Sequence, residues 1–386
     1  MNYNFDQIID RRNSYSKKWQ KYRNSDVIAM SVADMEFAAP PPILNVLAKE
    51  IDHGILGYTL YQTELKQTVV NYLKNEYSWR VQEEEIIWLP SIVAGMNICS
   101  RILTNNNQPL ITATPIYPPF FQSAINSNRQ LIKTELILND HWEWDFANLD
   151  KQLAQNKTDG GLLLLCNPHN PTGRAWLQDE LEKLLEIACK YNLKVCSDEI
   201  HCDLILDKNL KHTPFASLNL EAAARSVVLM SPAKTFNIPG LSCAFAVIQN
   251  PVVRESFENF IRGLYPQINI MGLIACKTAL TQCQEWKTQL IEYLRNNHNF
   301  ALEKINMISG LMAKKSEATY LLWVNSKEFC DKRGISNPFS LFEKHGVAFG
   351  NGADFGMSSY FRLNFACPKE QLTRALNRIH NAIQTY

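Results

Sequence analysis

The chain has 386 residues, 46% of them hydrophobic and 20% charged, the composition of an ordinary globular protein with room for two domains. Lysine and arginine total 39 against 38 aspartates and glutamates, a formal net charge of +1, which offers no field for drawing in nucleic acid or an anionic membrane. Neither partner is expected, and no apolar run approaches the length that spans a bilayer.

In chain order, PSIVAGMNICSRIL (90–103) offers a helix start and PLITATP (109–115) reads as a strand. GLLLLCNP (161–168) reads as a buried strand. QDELEKLLEIACKYN (178–192) reads as a helix, with Leu181, Leu184, Leu185 and Ala188 at helical spacing between charges. LKVCSDE (193–199) and RSVVLMSP (225–232) are two more strands. Strand, helix, strand at these spacings predicts an α/β fold, a mostly parallel sheet covered by helices on both faces. The pattern then changes. A long helix is predicted over 285–308, with Leu290, Tyr293 and Leu294 among its apolar positions. Strands follow at 318–324 and 360–366, with FGNGADFG (349–356) as a glycine-rich loop between them and a closing helix after Lys369. The expected organisation is an N-terminal arm (1–26), a large domain (56–284), and a smaller α+β domain from 27–55 and 285–386.

Ten cysteines form no C-x-x-C pair and no zinc-type spacing with histidine. The N-terminus is polar and charged, without an apolar signal core. Reduced thiols, no metal and a cytoplasmic location are expected.

Three polar motifs follow predicted strand ends, where sheets of this kind bind ligands. NPHNPTG follows the strand ending at Cys166, DEIH the one ending near Cys196, and SPAK the one ending near Met230. They deliver Asn170, Asp198 and Lys234 to one sheet edge. A desolvated lysine can act as a neutral nucleophile towards an aldehyde. An aspartate can keep a pyridine nitrogen protonated, and an asparagine amide can donate to a phenolic oxygen. The helix start at 90–103 and the Ser231 hydroxyl suit a phosphate, and Tyr117 in TPIYPPF could stack on a ring. Together these describe a site for pyridoxal 5′-phosphate. Each residue also has a plainer reading: Lys234 as a surface lysine, Asp198 as a helix cap, Asn170 as a turn residue, His201 as a structural histidine.

VADMEF (32–37), HGILGYT (53–59), TPIYPPF (114–120), NPHNPTG (167–173), SDEIHCDLIL (197–206), SPAKTFNIPGLS (231–242) and FRLNFACP (361–368) run in order across nearly the whole chain. On these stretches the chain resembles the fold-type I pyridoxal-phosphate enzymes of the class I/II aminotransferase superfamily. More narrowly, it resembles the MalY/PatB-type C–S β-lyases, or cystathionine β-lyases. The resemblance implies an aspartate aminotransferase-like fold and a homodimer with shared active sites. Lys234 would bind the cofactor covalently and Asp198 would pair with its ring nitrogen. Asn170 would bond its phenolic oxygen, with His201 close by, and Tyr117 would stack on the ring. Ile92, Val93 and Ser231 would hold the phosphate. Tyr58 would reach the cofactor of the neighbouring subunit, in a catalytic role beside Lys234. Arg362 would clamp the carboxylate of an amino-acid substrate, with Ala33 nearby.

Two departures stand out. Many relatives carry a basic residue at the phosphate where this chain has Ser242, and the lyase branch often reads WVADMDF where this chain reads SVADMEF, with Ser31 and Glu36. The implied activity is β-elimination of cystathionine or a related cysteine S-conjugate. Transamination of an α-amino acid uses the same residues and stays open, as does a regulator that retains the fold.

Overall fold

Six consecutive buried residues, Gly161–Cys166, mark a strand covered on both faces, and a computed structural model describing residues 2–60 and 63–385 places it inside a seven-stranded sheet. The strands in chain order are β1 (Ile28–Met30), β2 (Ile86–Leu89), β3 (Leu110–Thr114), β4 (Leu131–Glu135), β5 (Ile137–Leu138), β6 (Trp142–Glu143), β7 (Gly161–Cys166), β8 (Leu193–Asp198), β9 (Ser226–Met230), β10 (Ala244–Val247), β11 (Met312–Ala313), β12 (Leu321–Asn325), β13 (Val347–Asn351) and β14 (Tyr360–Asn364). The large sheet runs β2-β10-β9-β8-β7-β3-β4, and β10 alone is antiparallel to its neighbours.

The helix Gln178–Lys190 buries Leu181, Leu184, Leu185 and Ala188 against this sheet, the stripe that its spacing predicts. On the other face, the helix Ile92–Ile102 sets Met96, Ile98 and Cys99 against Leu229, Ala244 and Ala246. Both layers point the carboxyl ends of β7, β8 and β9 at one edge, which is what positions the site.

A second sheet runs β1-β13-β14-β12-β11. It packs on the helix Gln284–Asn306, whose Trp286, Leu290, Leu294, Ala301 and Ile305 are buried, and on the closing helix Lys369–Thr385. The N-terminal segment joins this core through Phe5, which meets Phe37, Trp286 and Tyr293 at ring separations of 5.2, 5.5 and 5.4 Å. All ten cysteines are free, and only Cys189 is exposed. Among the described residues, no helix is long and apolar enough to cross a membrane.

Two predicted elements differ. The stretch 349–356 is not a loop throughout: its first residues complete β13, which lies between β1 and β14 with Gly350 opposite Arg362. Glycine there marks a close approach, since a Cβ at Gly350 would sit 3.2 Å from that of Arg362. The strand expected from Ala318 begins at Leu321, because Thr319 adopts a left-handed φ of 70° that interrupts the extended run.

After β13 the chain turns tightly through Gly352–Phe355. A Cβ at Gly352 would lie 2.0 Å from the carbonyl oxygen of Tyr360 and 2.2 Å from that of Met357, backbone atoms that cannot rotate away. Replacing Gly352 by alanine is expected to cost at least ~2 kcal/mol of stability through this overlap. Urea denaturation would measure it, and an unchanged midpoint would show that the turn relaxes freely.

Candidate active site

Asn170 lies in the turn after β7, Asp198 ends β8, and Lys234 follows β9. Arg362 comes from β14 of the other sheet. All four line one cavity of about 440 Å³, together with Ala33, Ile92, Val93, Tyr117, His201 and Ser231.

Lys234 Nζ donates to the Ala33 carbonyl at 2.5 Å, and the same oxygen accepts from the Tyr320 hydroxyl at 2.9 Å. Burial, with the Arg362 charge adding to it, lowers the amine to about 8. Burial raises the Asp198 carboxyl to about 7, although the Ile200 N–H donates to its Oδ1 at 3.1 Å and Lys234 opposes the rise. Arg362 donates from Nη1 to Asn170 Oδ1 at 2.9 Å and from Nη2 to the Ser31 carbonyl at 2.8 Å. Its guanidinium lies 4.7 Å from the Phe355 ring centre, and burial lowers it to about 10. With Oδ1 of Asn170 committed to Arg362, the amide's NH2 is the end without a partner among the described residues.

His201 is buried edge-on to Tyr320 at 5.8 Å, and its Nδ1 has no partner among the described residues. Burial, then the nearby Lys234 charge, holds the imidazole well below its usual range, so it is neutral. Tyr117 sits half-buried at the start of the helix Pro118–Ser127, and burial raises its phenol.

Ile92 and Val93 open the helix Ile92–Ile102, where the Ser91 hydroxyl accepts from the Ala94 N–H at 3.1 Å. The remaining first-turn N–H groups have no intrahelical partner and form the positive end of the helix dipole. Ser231 lines the cavity, but its hydroxyl donates to the Cys243 carbonyl at 2.7 Å and accepts from the Ala233 N–H at 3.1 Å. Its proton is therefore committed to the turn, unlike the free donor expected for a phosphate. Ser242 is exposed at the same end of the cavity.

Tyr58 does not join this cluster. It is fully exposed, beside a separate open groove of about 390 Å³ that Ile55, Leu60, Ile270 and Lys277 also line.

Several residues escaped the sequence reading. The carbonyls from Ser31 to Phe37 accept side-chain donors almost without a break. Asn364 Nδ2 donates to Val32 and Asp34, both at 2.7 Å, and Asn237 Nδ2 to Met35 at 3.0 Å and Phe37 at 2.7 Å. Behind that row lies a buried ionic cluster. Lys18 meets Glu36 at 2.7 Å, Arg11 meets Asp34 at 2.7 Å and Glu36 at 3.1 Å, and the Trp19 indole donates to Glu36 at 3.0 Å. Burial would raise the Asp34 carboxyl, but Lys18 and Arg11 outweigh it and hold the group low. Of the two acids, Glu36, which departs from the usual aspartate, is the one that reaches three partners. Asp203 anchors a second buried network next to Lys234, accepting from Tyr72 at 2.5 Å, Tyr77 at 2.6 Å and Thr235 at 3.2 Å, with Lys287 at 3.3 Å. One signal was available: Asn364 is two residues from Arg362 and so shares its face of the strand.

These residues fit pyridoxal phosphate. The cavity presents a lysine with a lowered pKa, a buried carboxylate, an open amide donor, an aromatic ring and, at one end, a helix N-terminus. Polar groups buried without partners among the described residues, such as His201 Nδ1, line the same space.

A family model described as aminotransferase class I and II matches residues 25–379. The cystathionine β-lyase PatB of Bacillus subtilis (strain 168) is 32% identical over 398 aligned positions, covering 98% of this chain and 100% of its own. A crystal structure of OvoB superposes with a TM-score of 0.95 at 38% identity, covering 100% of both chains. Cystalysin from Treponema denticola, whose crystal structure contains a pyridoxal 5′-phosphate cofactor, gives a TM-score of 0.92 at 31% identity over 100% of both chains.

The raised Asp198 carboxyl has a stability consequence in cofactor-free protein. Between its ordinary value of 3.8 and about 7 the folded state holds a proton that the unfolded state has lost. This group's contribution to stability is present below that window and falls as pH rises through it, by up to ~1.4 kcal/mol per pH unit. Asp198→Asn is expected to remove that slope. Denaturation of both cofactor-free proteins from pH 4 to pH 7 checks it, and parallel curves would contradict the assigned shift.

Proposed function

Since the chain belongs to the class I and II aminotransferase family, we propose that it is a pyridoxal-phosphate-dependent C–S β-lyase, converting cystathionine or a related cysteine S-conjugate to pyruvate, ammonia and a thiol such as homocysteine. The observation that carries this reading is the convergence of Lys234, Asp198, Asn170 and Arg362 on one cavity.

When bound there, pyridoxal phosphate supplies a protonated aromatic ring that takes up the electrons of the broken Cα–H bond. Asp198 pairs with the ring nitrogen, where its buried negative charge gains most from an adjacent positive one. Asn170 turns its NH2 to the phenolic oxygen while its carbonyl oxygen steadies Arg362. Arg362 binds the α-carboxylate and so aims the Cα–H bond. Lys234 anchors the cofactor between turnovers, and its amine takes the Cα proton, a task suited to a group titrating near 8. Ile92 and Val93 present backbone N–H groups to the phosphate, and the helix dipole takes the place of a basic side chain at Ser242. Tyr117 would cover one ring face, His201 lines the same cavity against Tyr320, and the Ala33 carbonyl receives the Lys234 amine when it is free.

The same residues would serve amine transfer to a keto acid; elimination is favoured because the PatB relative, which spans 98% of this chain at 32% identity, is named a cystathionine β-lyase. With cystathionine, the purified holoenzyme is expected to release pyruvate without any added keto acid. Lys234→Ala should lower that rate by at least ~10²-fold, as for loss of a positioned base. Product formation that depends wholly on a keto acid would overturn the lyase reading.

The homodimer belongs to the same proposal. Tyr58 is exposed beside Ile55, Leu56 and Leu60, an apolar stretch suited to a second copy, and would complete the partner's site. Mixing Tyr58→Phe and Lys234→Ala subunits is expected to restore activity in hybrid dimers, where one site has both native residues. Confirmed hybrids no more active than either parent would mean that Tyr58 does not act across the interface.

A further inference from the structure

The cavity lining is chemically uneven. One part carries Ser91, Ile92, Ser231 and Ser242, neutral hydroxyls around a helix N-terminus. The antiparallel pairing of β10 with β2, Ala244 opposite Leu89, keeps Ser242 and Ser91 together there. Arg362 contacts Ser31 and Phe355 elsewhere in the lining, which also includes Lys17 and Asp354.

Both residues have firmly held neighbours. Lys17 precedes Lys18, which is buried and bonded to Glu36 and to the Asp34 carbonyl at 2.7 and 3.1 Å. Asp354 precedes Phe355, which is buried beneath the Arg362 guanidinium. Yet the Lys17 and Asp354 side chains are exposed, and among the described residues neither forms a hydrogen bond or ion pair with the protein. Two opposite charges therefore line one cavity without being used on each other.

With Arg362 holding the α-carboxylate and Lys234 working at Cα, the sulfur-borne part of a substrate must occupy the remaining space. We infer that Lys17 and Asp354 form a distal subsite selecting cysteine S-conjugates whose leaving thiol carries both a carboxylate and an ammonium group, a reading that rests on the proposed C–S lyase activity. Lys17 takes the distal carboxylate and Asp354 the distal ammonium. A neutral alkyl group gains neither contact, so discrimination comes from added bonds and not from exclusion.

Conjugates with one distal charge each separate the two roles. S-carboxymethyl-L-cysteine supplies only the anion and S-(2-aminoethyl)-L-cysteine only the cation. Dissociation constants come from titrating the holoenzyme and following its visible absorbance. Lys17→Met is expected to weaken the carboxymethyl conjugate about tenfold relative to the aminoethyl one, and Asp354→Asn to do the reverse, the size of one charge-assisted hydrogen bond. Equal shifts for both conjugates, or none, would overturn the subsite. Pyruvate is read in the same samples. A crossover in affinity without pyruvate from any conjugate would sink the lyase reading while leaving the subsite standing.

Discussion

A row of backbone carbonyls, Ser31 to Phe37, holds the active site together. The segment leaves β1 and runs between the two sheets, so most of its buried carbonyls must find donors outside a ladder. Arg362, Asn364 and Tyr320 reach them from the small-sheet side, Lys234 and Asn237 from the large-sheet side. A hydrogen bond of this kind contributes ~1 kcal/mol net, and a buried acceptor left open costs ~1–3 kcal/mol, so the row strongly resists partial detachment. Because Arg362 and Lys234 are themselves among the donors, the geometry of the site and the docking of the two sheets are one constraint. The ionic cluster of Arg11, Lys18, Asp34 and Glu36 fixes the far side of the segment and ties the N-terminal arm into it.

The charges of the cavity are unbalanced without a bound partner. Lys234 and Arg362 are both lowered and Asp198 is raised, in each case chiefly by burial. With two buried cations and one buried carboxylate, the site favours anionic visitors at its cationic groups and a positive ring beside the acid. The protein bears part of the desolvation cost in advance, which is a familiar property of sites that move protons.

Much of this was legible in the chain itself. The strand ends near Cys166, Cys196 and Met230 could be located because apolar runs stop at turn-forming motifs, and the lysine, aspartate and asparagine stand just beyond those stops. The small sheet was harder. Glycines in 349–356 signal a loop by composition, yet Gly350 is a strand residue that makes room for Arg362, a reason visible only in three dimensions. The carbonyl row was invisible because every residue has a carbonyl, and its donors Asn237 and Asn364 lie hundreds of positions away. Ser231 was legible as a cavity residue but not as one whose hydroxyl is already engaged. Tyr58 shows the limit of a single chain: it is exposed and outside the cavity, and the role expected of it belongs to the proposed dimer.

The bond from Lys234 to the Ala33 oxygen has one further consequence. A carbonyl accepts a proton-bearing nitrogen whether that nitrogen is an ammonium or a neutral amine, so the contact imposes no charge on the lysine. The side chain can be moored in a fixed direction and still give up a proton. Its lone pair, once exposed, starts from a known place instead of from a swarm of rotamers. The oxygen thus works as a berth indifferent to protonation, separating where the amine waits from when it gives up its proton.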